Sequence, residues 1–167
     1  DLGFQVPDNI IIPTGAGSNV LGCDLAFREL LAVGEIDRLP RLFVAQPANC
    51  APIDAAFRAG ADSQVETDFA PTVAEGTAIK RPLRMAVMLA ALRRSNGGTI
   101  AISEEGIRAA AWDLARAGLF AEPTSATAAA AFEGLRAQGT IGADEVTVVV
   151  LTGGGLKATG FYQDASD

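Results

Sequence analysis

An open parallel α/β sheet of about four strands flanked by helices is the fold this chain predicts, on three observations. Four short, β-branched apolar segments occur at Asn9–Pro13, Arg41–Gln46, Thr99–Ile102 and Val146–Thr152, with helix-like stretches between them. Their apolar residues run on continuously rather than alternating, the pattern of strands covered on both faces. The first strand also passes through a loop of small residues straight into an amphipathic segment, as the units of layered α/β folds do.

The elements follow in order. Ile10, Ile11 and Ile12 form an apolar run that Pro13 stops, and Thr14, Gly15, Ala16, Gly17, Ser18 and Asn19 make the loop. A helix is predicted from about Val20, with Val20, Cys23, Phe27, Leu30 and Leu31 as its apolar stripe and Gly34 closing it. Residues 83–92 are apolar nearly all round and predict a deeply buried helix. Ser103 reads as an N-cap, with Glu104 and Glu105 complementing the first turn. Ile107, Ala111 and Leu114 give that helix its face, and Gly118 ends it. The last helix is expected from Thr124 or Ser125, burying Ala128, Phe132 and Leu135 and stopping at Gly139. Ligands of such sheets sit at the carboxyl ends of strands, where the PTGAGSN and LTGGGLK loops both fall.

Bulk properties narrow the function. A chain of 167 residues predicts one domain with a real core. A net charge of −7 without a basic cluster argues against nucleic-acid binding. No apolar run is long enough to span a membrane, and no signal-peptide pattern is present. With no histidine and only Cys23 and Cys50, no metal site is expected. The two cysteines read as free buried thiols of a cytoplasmic protein. The lack of histidine also excludes Ser-His-Asp and Cys-His nucleophile systems within the chain.

The glycine loop carries the chemistry. A strand running through it into a helix N-terminus turns several backbone N–H groups toward one point, an anion site suited to phosphate. A dinucleotide is the rival ligand, but G-x-G-x-x-G would need glycine where Val20 stands, and Gly22 comes two positions late. The second strand also ends in Gln46 rather than in an acid that would hold a ribose.

Four blocks in order point to the other ligand: Val6 to Gly22 (VPDNIIIPTGAGSNVLG), Gly34 to Phe57, Thr72 to Pro82 (TVAEGTAIKRP), and Glu122 to Leu135 followed by Val148 to Gly160. Together they resemble the second half of the large domain of threonine synthase, a fold-type-II enzyme dependent on pyridoxal phosphate. The third block is similar also to serine and threonine dehydratases. The resemblance covers residues 1–160, with 161–167 left as a tail.

By that resemblance Gly15, Ala16, Gly17, Ser18 and Asn19 bind the cofactor phosphate. Gly76 offers a backbone contact beside the ring, and Thr152 places its hydroxyl against the pyridine nitrogen. Gly153, Gly154 and Gly155 let the backbone pass under the ring. Glu75 is open between a ring-side and a solvated role; Glu122, just before Pro123, is most simply a charge complementing a helix start. The family's Schiff-base lysine lies upstream of the phosphate loop, and neither Lys80 nor Lys157 matches it. No catalytic residue is therefore assigned to this chain.

The resemblance thus implies a C-terminal fragment, beginning at Asp1 as if excised, of an enzyme acting on a small amino-acid substrate. Its partner is the missing N-terminal part, and alone it is expected to be inactive and to self-associate through exposed apolar surface. A serine or threonine dehydratase fragment and a non-catalytic phosphate-ligand module remain as alternatives.

Overall fold

Ile10, Ile11 and Ile12 are all buried because the strand they form is covered on both sides. The computed structural model describes residues 5–163. In it Asn9–Pro13 forms β1, Arg41–Pro47 β2, Gly98–Ile102 β3 and Thr147–Val149 β4. They make one parallel sheet in the order β3-β2-β1-β4, with Ile11 opposite both Phe43 and Val149.

The helices are α1 (Ser18–Ala32), α2 (Pro52–Arg58), α3 (Met85–Arg94), α4 (Glu104–Arg116), α5 (Pro123–Ala137) and α6 (Thr159–Gln163). Side chains of successive strand residues point to opposite faces, so the continuous apolar runs feed two cores. Ile10, Ile12, Leu42 and Val44 pack with Val20 of α1 and with Met88, Leu89 and Leu92 of α3. Ile11, Phe43, Ala45 and Ile100 pack on the other side against α4 and α5. Alanines 126, 128 and 131 let α5 lie close to the strands.

Several expectations are corrected. The first helix starts at Ser18 rather than Val20, so Ser18 and Asn19 belong to its first turn. Its stripe is shallow: Val20 is buried, Cys23, Phe27 and Leu30 are half-buried, and Leu31 is exposed. Asp24 is buried instead, because the Arg94 guanidinium grips its carboxylate with bonds of 2.8–3.1 Å. The predicted deeply buried helix is half-buried, with Leu83 fully exposed ahead of α3 and Val87 exposed on it. Phe132 is only half-buried, and the last helix begins one residue early, with Pro123 at its first position.

The predicted strand Val146–Thr152 shrinks to three paired residues on the sheet edge, with Val146, Val148 and Leu151 exposed. An apolar run predicts burial only where a neighbouring layer exists to cover it, and none of the described residues covers this edge. The expected tail begins inside α6, where Tyr162 stacks among Trp112, Phe120 and Phe161 and donates to the Ala121 carbonyl at 2.5 Å. Asp1 and residues 164–167 lie outside the described residues. Among those described, no helix is long and apolar enough to cross a membrane, and no cluster of three or more potential metal ligands occurs.

Candidate functional site: a phosphate cradle at the carboxyl edge of the sheet

The cradle starts from Gly17. It caps α1 in the left-handed region, with φ 86°, and a Cβ there would fall 1.8 Å from Met88 Sδ. Only glycine meets both conditions, so the turn that aims the helix N-terminus is fixed by α3 beneath it. The Leu21 N–H is the first to find an intrahelical acceptor, the Gly17 carbonyl at 3.0 Å. The amides of Ser18, Asn19 and Val20 are the orphan donors of the first turn, and no side chain caps them.

Gln46 holds the entrance to this loop. Fully buried, it donates to the Thr14 carbonyl at 3.2 Å and accepts from the amides of Ile53 and Asp54 at 2.9 and 3.2 Å. It thereby caps α2 while fixing the last residue before the glycines. Thr14, also buried, donates back to the Ile12 carbonyl at 2.8 Å.

Two distant segments complete the concavity. The 3-10 turn Glu75–Thr77 lies against the loop, since a Cβ on Gly15 would stand 3.1 Å from Thr77 Cα and 3.3 Å from the Gly76 carbonyl oxygen. Gly76 in turn donates its N–H to Thr124 Oγ1 at 3.2 Å. From the other side comes Thr152, just past β4, with its side chain exposed toward the hollow. Gly15, Ala16, Gly17, Ser18, Asn19, Gly76 and Thr152 all line this single hollow of about 220 Å³. Neither Lys80 nor Lys157 reaches it: the Lys80 ammonium sits over the Phe69 ring, and Lys157 lies in the 3-10 turn Gly155–Ala158.

The glycines after Thr152 have reasons of their own. A Cβ on Gly153 would meet the Glu122 carboxylate at 2.1 Å, and one on Gly155 would enter the Phe120 ring at 2.7 Å. Backbone bonds from Glu122 N–H to the Gly153 carbonyl and from Gly155 N–H to the Phe120 carbonyl tie the loop down. Glu122 is the N-cap residue of α5, in keeping with a helix-start charge, and Glu75 is exposed. Sequence reasoning missed Met88, Gln46, Thr124 and Ser125. Gln46 was visible only as an absent acid, and a polar residue closing an otherwise apolar strand was the available signal.

The donor set fits a phosphate ester. Uncapped amides at the start of a 15-residue helix offer hydrogen bonds and the positive end of its dipole, and no charged side chain lines the hollow. At about 220 Å³ the hollow is smaller than the roughly 300–1,000 Å³ usual for ligand sites, so it can enclose only part of a cofactor.

A parallel sheet carries, at its carboxyl edge, a hollow between uncapped helix amides and the Thr152 hydroxyl. The chain belongs to the pyridoxal-phosphate dependent enzyme family, whose model matches residues 1–153. Within that family it is similar to threonine synthase: the enzyme so named from Methanosarcina acetivorans is 36% identical over 157 residues, 93% of this chain and 39% of that protein. The chain therefore spans about two-fifths of the length of such relatives. Two solved structures share the fold. The processed form of threonine deaminase isoform 2 from Solanum lycopersicum superposes with TM-score 0.73 at 18% identity, covering 97% of this chain and 44% of that one. Threonine synthase from Escherichia coli gives 0.69 at 19% identity, covering 98% and 36%. The fold is thus that of fold-type-II enzymes.

Proposed function

We propose that this chain is the cofactor-binding C-terminal portion of a threonine synthase-like lyase. The reading is carried by one observation: the loop Gly15–Asn19, Gly76 and Thr152, up to 137 positions apart in sequence, line one hollow. The amides of Ser18, Asn19 and Val20 bind the phosphate of pyridoxal phosphate, and Gly76 passes beside its ring. Thr152 offers its hydroxyl to the ring nitrogen. A hydroxyl accommodates an unprotonated nitrogen, where a carboxylate would hold it protonated. When bound, the cofactor supplies an electron sink, and an unprotonated ring is the weaker sink that suits elimination and replacement beyond the α-carbon.

In this reading the whole enzyme eliminates phosphate from O-phosphohomoserine and adds water to give threonine. The lysine it requires comes from the rest of the polypeptide. The exposed residues Val146, Val148, Leu151, Leu119 and Phe120 along and beside the β4 edge support a further layer covering that side. Without that layer the chain self-associates as concentration rises, and a single monomeric species by light scattering at high concentration contradicts this. The test of function is twofold. Pyridoxal phosphate binds the chain, in competition with inorganic phosphate and not with a nicotinamide dinucleotide. Incubation with O-phosphohomoserine, serine or threonine yields no product. Threonine or ketoacid formed by the pure chain overturns the claim of inactivity, and dinucleotide binding overturns the assignment of the cradle.

A further inference from the structure

Ser125 is the third residue of α5, and none of its surface reaches solvent. Its Oγ accepts the Gly153 N–H at 2.8 Å, donates to the Gly153 carbonyl at 3.0 Å, and lies 3.4 Å from Thr152 Oγ1. A serine hydroxyl has one proton and two lone pairs. The Gly153 N–H occupies one lone pair in every arrangement, which leaves two choices for the proton. When it points at the Gly153 carbonyl, the second lone pair is free to take the proton of Thr152. When it turns to Thr152 Oγ1, the proton of Thr152 is driven away from Ser125 and out into the hollow.

The turn leaves nothing unpaired. The Gly153 carbonyl also accepts the Glu122 N–H at 3.1 Å, so it keeps a donor after the serine proton departs.

We infer that Ser125 is a positioning residue that fixes the direction of the Thr152 hydroxyl, making Thr152 an obligate donor toward an unprotonated ring nitrogen. The inference rests on the proposed placement of pyridoxal phosphate in the hollow and specifies the protonation state that the hollow selects. Ser125 touches neither cofactor nor substrate and acts through Thr152 alone.

The experiment compares the affinity of the chain for pyridoxal phosphate with that for its 1-deaza analogue, in which CH replaces the ring nitrogen. One neutral hydrogen bond predicts a preference of about fivefold for the parent compound. Ser125→Ala lowers that ratio and leaves inorganic phosphate binding unchanged, because the phosphate amides sit on α1. Loosening of the Gly153 loop displaces Thr152 as well, so a bracing role is told apart from a directing one by the Gly153 carbonyl shift. Thr152→Val abolishes the ratio by removing the donor itself. A ratio in Ser125→Ala equal to that of the unaltered chain overturns the inference.

A second readout needs no substitution. The carbonyl carbon-13 shift of Gly153 moves when pyridoxal phosphate binds and stays put with the deaza analogue, since only the former draws the serine proton away. A shift that is the same for both also overturns the inference. Equal affinity for both compounds in the unaltered chain, with phosphate competition intact, removes Thr152 from the ring and Ser125 with it. Failure to bind either compound or phosphate instead overturns the reading of the cradle.

Discussion

Gly17→Ala tests how the cradle is built. The residue holds φ at 86°, and its missing Cβ faces Met88 Sδ at 1.8 Å. Left-handed backbone costs an alanine about 1–2 kcal/mol. Pushing Met88 aside adds overpacking of about 1–2 kcal/mol, the low end of the range because a methionine side chain adapts. The sum is about 2–4 kcal/mol, which for a domain of this size lowers Tm on the order of 10 °C. Relaxation of the turn also tilts the amides of Ser18 and Asn19, so affinity for phosphate falls about tenfold, equivalent to ~1.4 kcal/mol. The natural control is Gly22→Ala, also on α1, where a Cβ meets nothing within 4 Å. There alanine stabilises the chain by about 0.5–1 kcal/mol through helix propensity. Scanning calorimetry and a phosphate titration read both variants. A Gly17→Ala protein with Tm within about 2 °C of the parent and unchanged affinity refutes the claim that this turn and Met88 hold the cradle in shape.

Three further outcomes are expected. Asp24→Asn removes the charged partner of Arg94 that joins α1 to α3; because the guanidinium can turn to water, the loss in urea denaturation is about 1–2 kcal/mol rather than the full penalty of a stranded buried charge. The Glu145 carboxyl is held below its ordinary 4.5 by the Gly142 N–H, then by the Asn9 amide and the Arg41 guanidinium. A lowered carboxyl stabilises fully above 4.5 and loses that contribution as pH falls below it, so the stability gap between Glu145→Gln and the parent closes on acidification. A gap constant with pH contradicts this. Burial raises the Cys23 and Cys50 thiols, the Lys80 charge partly opposing it at Cys50, so both alkylate more slowly at about pH 8 than in urea. Equal rates would show that neither thiol is sheltered.

The sheet was legible in the sequence because its strands are short, β-branched and flanked by glycine and proline. β1 was read at both its ends, and β2 and β3 to within one residue. The loop residues were read from the strand–loop–helix pattern and Gly76 and Thr152 from block-wise resemblance, and the fold gathers them into one hollow. What the sequence concealed is pairing across distance. Nothing in the period of residues 83–92 shows that Leu83 and Val87 lack a covering layer. Gln46 registered as a departure from a dinucleotide motif, whereas its amide is shared between Thr14 and the start of α2. Ser125 was visible only as a possible helix start; its work depends on Gly153, 28 positions on, which no local pattern encodes.

The strand order β3-β2-β1-β4 also sets a timetable. β1 and β2 are near neighbours in sequence and can pair as soon as both exist, bringing the glycine loop with them. β4 joins β1 only after more than 130 intervening residues, through three paired positions at an open edge. Thr152 follows directly behind it. The glycine-loop half therefore matures early and is firmly held, while the hydroxyl side arrives last and on the least anchored strand. Transient fraying of that edge is the cheapest opening of the sheet, and it withdraws Thr152 without disturbing the amides of α1. Exchange of amide hydrogens should therefore be fastest in β4, among the strands, and the grip on a ring should loosen well before the grip on a phosphate.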